Sequence, residues 1–401
     1  MALFSSQPGK IYLSYHHTAA TIVCLDVYTG NFCAHLDAQS NVPAFSSFAY
    51  VGTPSQFGGQ TMFNGRWMYT TVVAYPVYDS STGTGPSGCT WGILCFDTQL
   101  NQFCTSTGMA GPVDAAWLAL GSTAATCGIP GVSGGLQPYP GQAGKFVTLG
   151  PDGTMYCFQA SAATGVISKC TPSKINSPQN VIPTTLGSWN APILITIGQQ
   201  LYSYYNGVPT APQGLALLCW DFANAAHNYK CGGAFASGPV YPTNSGIGNF
   251  YNMYYPMLNG VPMAVCTLDF ATPTGKYDCV SINATSLTAV GVEITDSATL
   301  SWMVPPDFLI ANHDLLPAPY YIGTKMYYGR WLYSGIDCYD WSTKASCGSV
   351  TFPVGTPNFF YQVTQDSYGC LWALADSGET YVCHTPTNQP TNQPTNQPTN
   401  N

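Results

Sequence analysis

The residues best placed to do chemistry in this chain are its 16 cysteines, and the chemistry they offer is oxidation to disulfides. Fourteen of them fall into seven pairs: Cys24 with Cys33, Cys95 with Cys104, Cys157 with Cys170, Cys219 with Cys231, Cys266 with Cys279, Cys338 with Cys347, and Cys370 with Cys383. Partners lie 9 to 13 positions apart. That is too far for the tight knuckles of a structural zinc site and suits the two strands of one hairpin. Cys89 and Cys127 stand outside the pattern in Gly/Ser/Thr-rich stretches. They are expected to bond to each other and tie two long loops, with an intersubunit bridge as the alternative. With every cysteine pairable, no thiol nucleophile is expected, and the compartment is an oxidising one.

An aspartate follows most first cysteines: Asp26, Asp97, Asp221, Asp269 and Asp340, with Asp376 later in the seventh unit. A carboxylate repeated at the same place in a turn caps backbone N–H groups; an asymmetric active site needs no such repetition. The only glutamates are Glu293 and Glu379, and a glycosidase pair cannot be chosen without knowing carboxylate separations. His16, His17 and His35 with Asp37 are the nearest approach to a metal site, yet adjacent strand residues face opposite sides. His313 and Asp314 fall in a Pro-rich stretch. No nucleophile elbow, phosphate loop or H-E-x-x-H helix is present. No catalytic, cofactor-binding or metal-binding residue is therefore assigned. Asn283-Ala-Thr285 is an N-glycosylation sequon.

Charged residues make up 7% of the chain, against roughly 25% in ordinary soluble proteins, while apolar residues reach 45%. Such a chain folds, and its surface is polar through Ser, Thr, Asn, Gln, Tyr and backbone. That suits a glycosylated protein or one packed into an assembly. A net charge of −8 with ten cations argues against a phosphate-backbone partner, which needs clustered cations. No apolar run approaches the ~18 residues that span a membrane. Met1 to Lys10 lacks a basic region followed by an apolar one, so a secretion signal would have to lie outside this sequence.

The elements that must position these residues are strands. Alternating apolar and aromatic runs lead into the first cysteines, as in Thr21-Ile-Val-Cys24 and Leu215-Ala-Leu-Leu-Cys219. Further upstream lie Tyr-rich strands: Lys10 to Tyr15, Trp67 to Val73, Gln200 to Tyr205 and Lys325 to Tyr328. No amphipathic helix longer than a turn or two is expected. First cysteines are separated by 71, 62, 62, 47, 72 and 32 residues. Seven units of roughly 55 residues predict an all-β, disulfide-stapled β-propeller of seven blades with loop insertions, because radial closure removes long exposed edges. The 32-residue interval leaves six blades as the alternative. Closure further predicts that the first strands meet the last unit. Gly59 to Tyr69 and Gly323 to Tyr333 echo each other and hold both arginines, Arg66 and Arg330. Arginine stacked on an aromatic ring, at equivalent strands, is preferred to a pair of ligand sites.

Two resemblances add to this reading. Cys24-Leu-Asp-Val-Tyr-Thr-Gly-Asn-Phe resembles the Asp-x-x-Thr-Gly hairpin of quinoprotein-like propeller blades, with partial repeats at Asp269 to Gly275 and Ala163-Thr-Gly165. It implies a fold and carries no quinone-site signature. Residues 1–384 form the propeller on this reading, and residues 385–401 a separate tail. That tail consists of Pro-Thr-Asn-Gln units beginning at Pro386, Pro390 and Pro394, then Pro398-Thr-Asn-Asn401. It has no core-forming residue, and proline biases it to an extended, polyproline-II-like path. Ordering it requires contacts outside itself, from a neighbouring subunit or a glycan coat. The repeats look like those of algal and stramenopile surface proteins and of glycan-coated extracellular fibrils. The resemblance implies hydroxyproline and O-glycans on Pro386, Thr387, Pro390, Thr391, Pro394, Thr395, Pro398 and Thr399.

The functional expectation is a structural, non-enzymatic subunit of an extracellular glycosylated filament or cell-surface appendage. Its partners would be copies of itself and covalent glycans, with no cofactor, nucleic acid or membrane span. The alternatives are a secreted lectin-like or adhesive propeller on a glycosylated stalk, favoured by 27 Tyr and 9 Trp, and a secreted glycan-acting propeller enzyme.

Overall fold

A computed structural model describes residues 2–7, 9–14, 20–26, 28–52, 62–76, 89–104, 117–123, 136–149, 154–175, 194–206, 215–240, 253–269, 276–305, 319–329, 335–351, 360–365, 371–375 and 380–382. Within them the chain is built of antiparallel sheets, seven of which contain three or more strands and follow one another in chain order. The first runs Ala2–Gln7, Lys10–Ser14, Thr21–Asp26, Phe32–Asp37 as a simple meander. The third and sixth repeat this four-strand order. In the second sheet both edge positions are split. Tyr50–Gly52 and Met62–Asn64 share one side of Trp67–Tyr75, and Gln102–Phe103 and Trp117–Thr123 share the outer side of Cys89–Asp97.

The tight turn between the first two strands explains the register. In the second and sixth sheets the loops are Gly65-Arg66 and Gly323-Thr324, with Asn64 opposite Trp67 and Ile322 opposite Lys325. Each begins on a glycine at φ +63° or +60°, the geometry of a two-residue hairpin that keeps the strand twist. In the fifth unit Asn259-Gly260, both at positive φ, make a tight turn at a different place, between the segment of Tyr254 and the strand of Cys266. This alignment corrects the arginine echo. Gly65 is a turn residue, whereas Gly329 ends the strand Lys325–Gly329. Gly65 to Tyr69 thus corresponds to Gly323 to Tyr327, not to Gly329 to Tyr333. Arg330 lies outside the described residues.

Every sheet adjoins the next. The Tyr12 hydroxyl donates to Thr98 O at 2.7 Å, joining the first sheet to the second. Trp67 Nε1 donates to Ala162 O at 2.9 Å, joining second to third. Tyr139 and Tyr229 meet hydroxyl to hydroxyl at 3.4 Å between third and fourth. Ala289 N donates to Gln200 Oε1 at 2.6 Å between fourth and fifth. The Tyr255 and Tyr321 rings stack at 4.0 Å between fifth and sixth. Lys325–Gly329 packs on Phe360–Gln365, and Ala2–Gln7 packs on Phe360–Gln365 and Leu371–Ala375. The last contacts bring the chain's first strand against its last sheet and close the ring. The fold is a β-propeller.

The core therefore lies between the faces of neighbouring sheets. Trp91 of the second sheet meets Tyr156 of the third edge to face at 4.5 Å, and Tyr69 packs on Phe146 and Phe158. All nine residues of Trp67–Tyr75 are buried. A strand covered on both faces needs no alternation, which accounts for its continuous run of aromatic, Thr and Val residues. Among the described residues helix is confined to short connections such as Ala38–Asn41 and Ser297–Met303. Among the described residues no helix is long and apolar enough to cross a membrane.

Candidate functional site

The cysteine hairpins gather the chain's distinctive residues. Bonds join Cys24–Cys33, Cys95–Cys104, Cys157–Cys170, Cys219–Cys231, Cys266–Cys279 and Cys338–Cys347. Each closes a local loop within one unit, with Cα separations from 4.1 to 6.0 Å; in the fourth unit the loop of Cys219 and Cys231 holds the helical turn Phe222–His227 and returns through a single bridge, Trp220 to Lys230. The shortest belongs to Cys266 and Cys279, which are direct cross-strand partners. Their N–H and C=O groups bond to the outer neighbours Tyr254 and Ile294, and such non-bonded pairs lie closest across a ladder. Cys127, Cys370, Cys383, Asp376 and residues 386–401 lie outside the described residues, as do His16, His17, His313 and the side chains of Cys89 and Asp269.

The motif aspartates cap the turns. Asp26 Oδ1 accepts from Tyr28 N at 2.9 Å and Thr29 N at 3.1 Å. Asp97 Oδ1 accepts from Gln99 N at 3.0 Å and Leu100 N at 3.2 Å. Asp221 accepts from Ala223 N and Asp340 from Ser342 N. Burial pushes the Asp340 carboxyl up, but hydrogen bonds from Ser342 and Thr324, with Lys325 nearby, bring it below the ordinary carboxylate range. In the third unit Ser161 takes the cap position: Ser161 Oγ accepts from Thr164 N, and Gly165 N bonds Ser161 O as Gly30 N bonds Asp26 O.

Asn283 occupies the same kind of cap. Its Oδ1 accepts from Thr285 N at 2.9 Å and Ser286 N at 3.1 Å, and Leu287 N closes the turn on Asn283 O at 2.7 Å. Asn283 and Thr285 are exposed. With Oδ1 held by the backbone, Nδ2, the atom that carries an N-glycan, is turned away from the turn.

Asp97 has a second role. It is buried and ion-paired with Arg66, whose guanidinium lies over the Trp67 ring at 4.2 Å. Arg66 also donates to Gln99 Oε1 at 2.8 Å. This clamps the first turn of the second unit to its cysteine turn. His35 and Asp37 do not converge on a site. His35 is exposed, and Asp37 caps the helix Ala38–Asn41 by accepting from Ser40 N at 2.6 Å. Among the described residues no three His, Cys, Asp or Glu side chains cluster closely enough to hold a metal ion.

One recurrent feature escaped the sequence reading. The residue directly opposite the first cysteine is Tyr12, Tyr69, Tyr202, Tyr254 or Tyr327, with Val147 as the exception. Cross-strand partners share a face, so each tyrosine lies beside a disulfide. Several then reach onward: Tyr12 to Thr98 O, Tyr69 to Gly165 O at 3.4 Å, Tyr254 to Met303 O at 3.3 Å. Burial, the main cause, pushes the Tyr12 hydroxyl up to about 12, and Asp97 adds to the rise while the Thr98 bond opposes it. Burial pushes Tyr69, Tyr202 and Tyr254 up as well. The available signal was the tyrosine three or four residues after each turn glycine, at Gly9, Gly65, Gly198 and Gly323.

Where the turns reach solvent they are polar, apart from Tyr28, Phe32 and Leu100, which are 65%, 71% and 58% exposed.

No protein-family model matches this chain, and no curated protein matches its sequence. Solved structures do resemble it. Hydrazine synthase of Kuenenia stuttgartiensis is 10% identical, with 96% of this chain and 95% of that chain covered and a TM-score of 0.50. The β-propeller domain of Cps50 (Swd1) of Myceliophteria thermophila is 8% identical, covering 96% and 95%, at a TM-score of 0.46. Sqt1 of Saccharomyces cerevisiae is 10% identical, covering 95% and 84%, at 0.42. At such identities the likeness is one of fold.

Proposed function

We propose that this chain is a structural subunit of an extracellular, glycosylated filament or surface appendage, built as a seven-bladed propeller carrying a repeat tail. The observation that supports the reading most is how the repeated polar residues are used. The described motif aspartates cap turns, and the cysteines beside them staple the same hairpins. Chemistry repeated around a ring in this way serves rigidity, the property an assembling subunit requires.

The tail supplies the linkage. Sixteen residues from Pro386 to Asn401 bury no apolar side chain of their own. Ordering them costs roughly 1–2 kcal/mol per residue, less where proline already restricts the chain. Contacts with a neighbouring copy and O-glycans on the tail prolines and threonines offset that cost. At ~3.1 Å per residue a polyproline II path carries the tail about 50 Å, enough to cross an adjoining subunit. An N-glycan on Asn283 adds to the coat. Deleting residues 386–401 and examining the secreted protein by electron microscopy tests the reading. Filaments from the full chain and dispersed particles from the deletion are expected. Equal assembly by both would remove the tail from the mechanism.

A second reading rests on Tyr28 and Phe32, which flank the Asp26 turn with their rings in solvent. Aromatic faces beside polar turn groups suit sugar stacking, so a lectin-like propeller on a glycosylated stalk is the alternative. Glycan-array binding by the full chain, lost in Tyr28→Ala with Phe32→Ala, would support it.

A further inference from the structure

A ring of sheets has outer edges, and in this molecule they are not treated alike. The outer strand of the third sheet, Ile167–Ile175, carries Pro172 and the cations Lys169 and Lys174. That of the first, Phe32–Asp37, carries His35 and Asp37 and runs straight into a helix. In the fourth, Leu215–Asp221 is met by isolated bridges from Lys230 and Val240. In the fifth, the turn Gly233–Ala236 packs against Thr288–Glu293, so closely that a side chain added at Gly233 would strike Val290 O. Proline, charge and covering segments are the usual means of preventing edge-to-edge pairing.

The sixth sheet has an edge without those devices. Its outer strand, Ala345–Thr351, reads Ala-Ser-Cys-Gly-Ser-Val-Thr and has neither proline nor charge, as is also true of Trp117–Thr123 in the second sheet; its one irregularity is a bulge between Ser346 and Gly348, where Gly348 has φ +124°. Ala345 to Ser349 are all exposed, and among the described residues the strand pairs only with Gly335–Asp340. The nearest cation, Lys344, has its ammonium over the Trp302 ring at 4.7 Å.

The tail has a matching property. Its prolines fall at 386, 390, 394 and 398, a period of four. Backbone groups of an extended strand point alternately to its two sides. In a tail segment that is seated as a β-strand, and so leaves the polyproline II path of the free tail, all four missing N–H groups would fall on one side, and Thr387, Gln389, Thr391, Gln393, Thr395, Gln397 and Thr399 would present intact donors on the other. Proline is tolerated in a strand only when its N–H side faces solvent. We propose that the edge Ala345–Thr351 seats the Pro-Thr-Asn-Gln tail of a neighbouring copy as an added strand. The proposal rests on the filament reading above and names the seat. Seven edge residues take up about two repeats, and the tail has four. The surplus is the tether that lets the seated part lie on another subunit.

The test uses three full-length proteins and one tail deletion. In the first variant the tail is rewritten in five-residue repeats, Pro-Thr-Asn-Gln-Ser, which put prolines alternately on both sides. In the second, Ser346→Lys is combined with Ser349→Lys, both at exposed positions, with thermal melting as the control for folding. Both variants are expected to weaken assembly about tenfold or more, 1.4 kcal/mol per tenfold. In the native protein the outward amides of Ala345–Thr351, those not already bonded to Gly335–Asp340, should exchange about a hundredfold more slowly on assembly than in dilute solution. Assembly of the five-residue variant equal to native would overturn the strand seat while leaving a tail-mediated filament intact. Equal assembly of the deletion would overturn both. Outward amides already protected in dilute solution, independent of concentration, would place the chain's own tail on the edge and refute the neighbouring copy.

Discussion

Asp97 and Asp26 occupy the same position in successive units, and replacing each by alanine separates capping from charge pairing. Asp26 stands at a partly exposed turn and accepts from two backbone N–H groups. Those donors can turn to water, so Asp26→Ala should cost about 0.5–1 kcal/mol, the low end of a lost cap. Asp97 is buried and accepts from Gln99 N and Leu100 N while pairing with Arg66. Its two donors are less accessible, so cap loss alone should cost about 1–2 kcal/mol. The Arg66 guanidinium is partly exposed and screened, which limits the ion pair to about 0.5–1 kcal/mol. Asp97→Ala should therefore cost about 1.5–3 kcal/mol, and Asp97→Asn, which keeps Oδ1, only about 1 kcal/mol. Denaturant unfolding without reductant gives the midpoints, compared at the wild-type slope. Combining Asp97→Ala with Arg66→Ala should be less than additive by the ion-pair amount. Equal costs for the two aspartates, or asparagine as damaging as alanine at 97, would refute the capping account.

Removing one staple with Cys157→Ala and Cys170→Ala should lower stability by about 3 kcal/mol, read by unfolding of the otherwise intact chain. Non-reducing peptide mapping should recover each bonded pair within one hairpin; bonds between units would contradict the scheme. Tyr12→Phe removes the hydroxyl that reaches Thr98 O and Asn101 Oδ1 and should cost about 1–2 kcal/mol, measured the same way. Buried tyrosines whose folded pKa is raised stabilise the fold fully below pH ~10, and that stability is lost as pH rises toward 12 and beyond. Unfolding should therefore accompany tyrosinate absorbance above pH ~10, with the Tyr12→Phe contribution removed from the window between 10 and about 12.

Much of the fold was legible because it rests on local chemistry. Cysteines 9 to 13 residues apart suit a local turn and return, and the strand Cys24–Leu–Asp at its head announces both the bond and the turn cap. Closure was legible from the same count, since an array of such units leaves two open edges unless its ends meet. What stayed hidden depends on lateral neighbours. Tyr12 looks like any strand tyrosine until the second sheet brings Thr98 O to its hydroxyl. Trp67–Tyr75 gave no sign of facing two partners, because alternation vanishes when both faces are buried. The arginine echo misled because it matched letters across different strand positions; the turn glycines, fixed by positive φ, give the true alignment. The role of Asn283 as a cap was concealed because its turn follows the strand of the second cysteine, outside the motif that marks the other caps.

The central claim is that stapled propellers assemble into a glycosylated filament through their tails. Electron microscopy of the full-length secreted protein, with mass spectrometry of its 386–401 peptide, tests this most directly. The account predicts ordered filaments of propeller-sized subunits, with glycan mass on the tail prolines or threonines. Dispersed single particles of 42.8 kDa with an unmodified tail would contradict it.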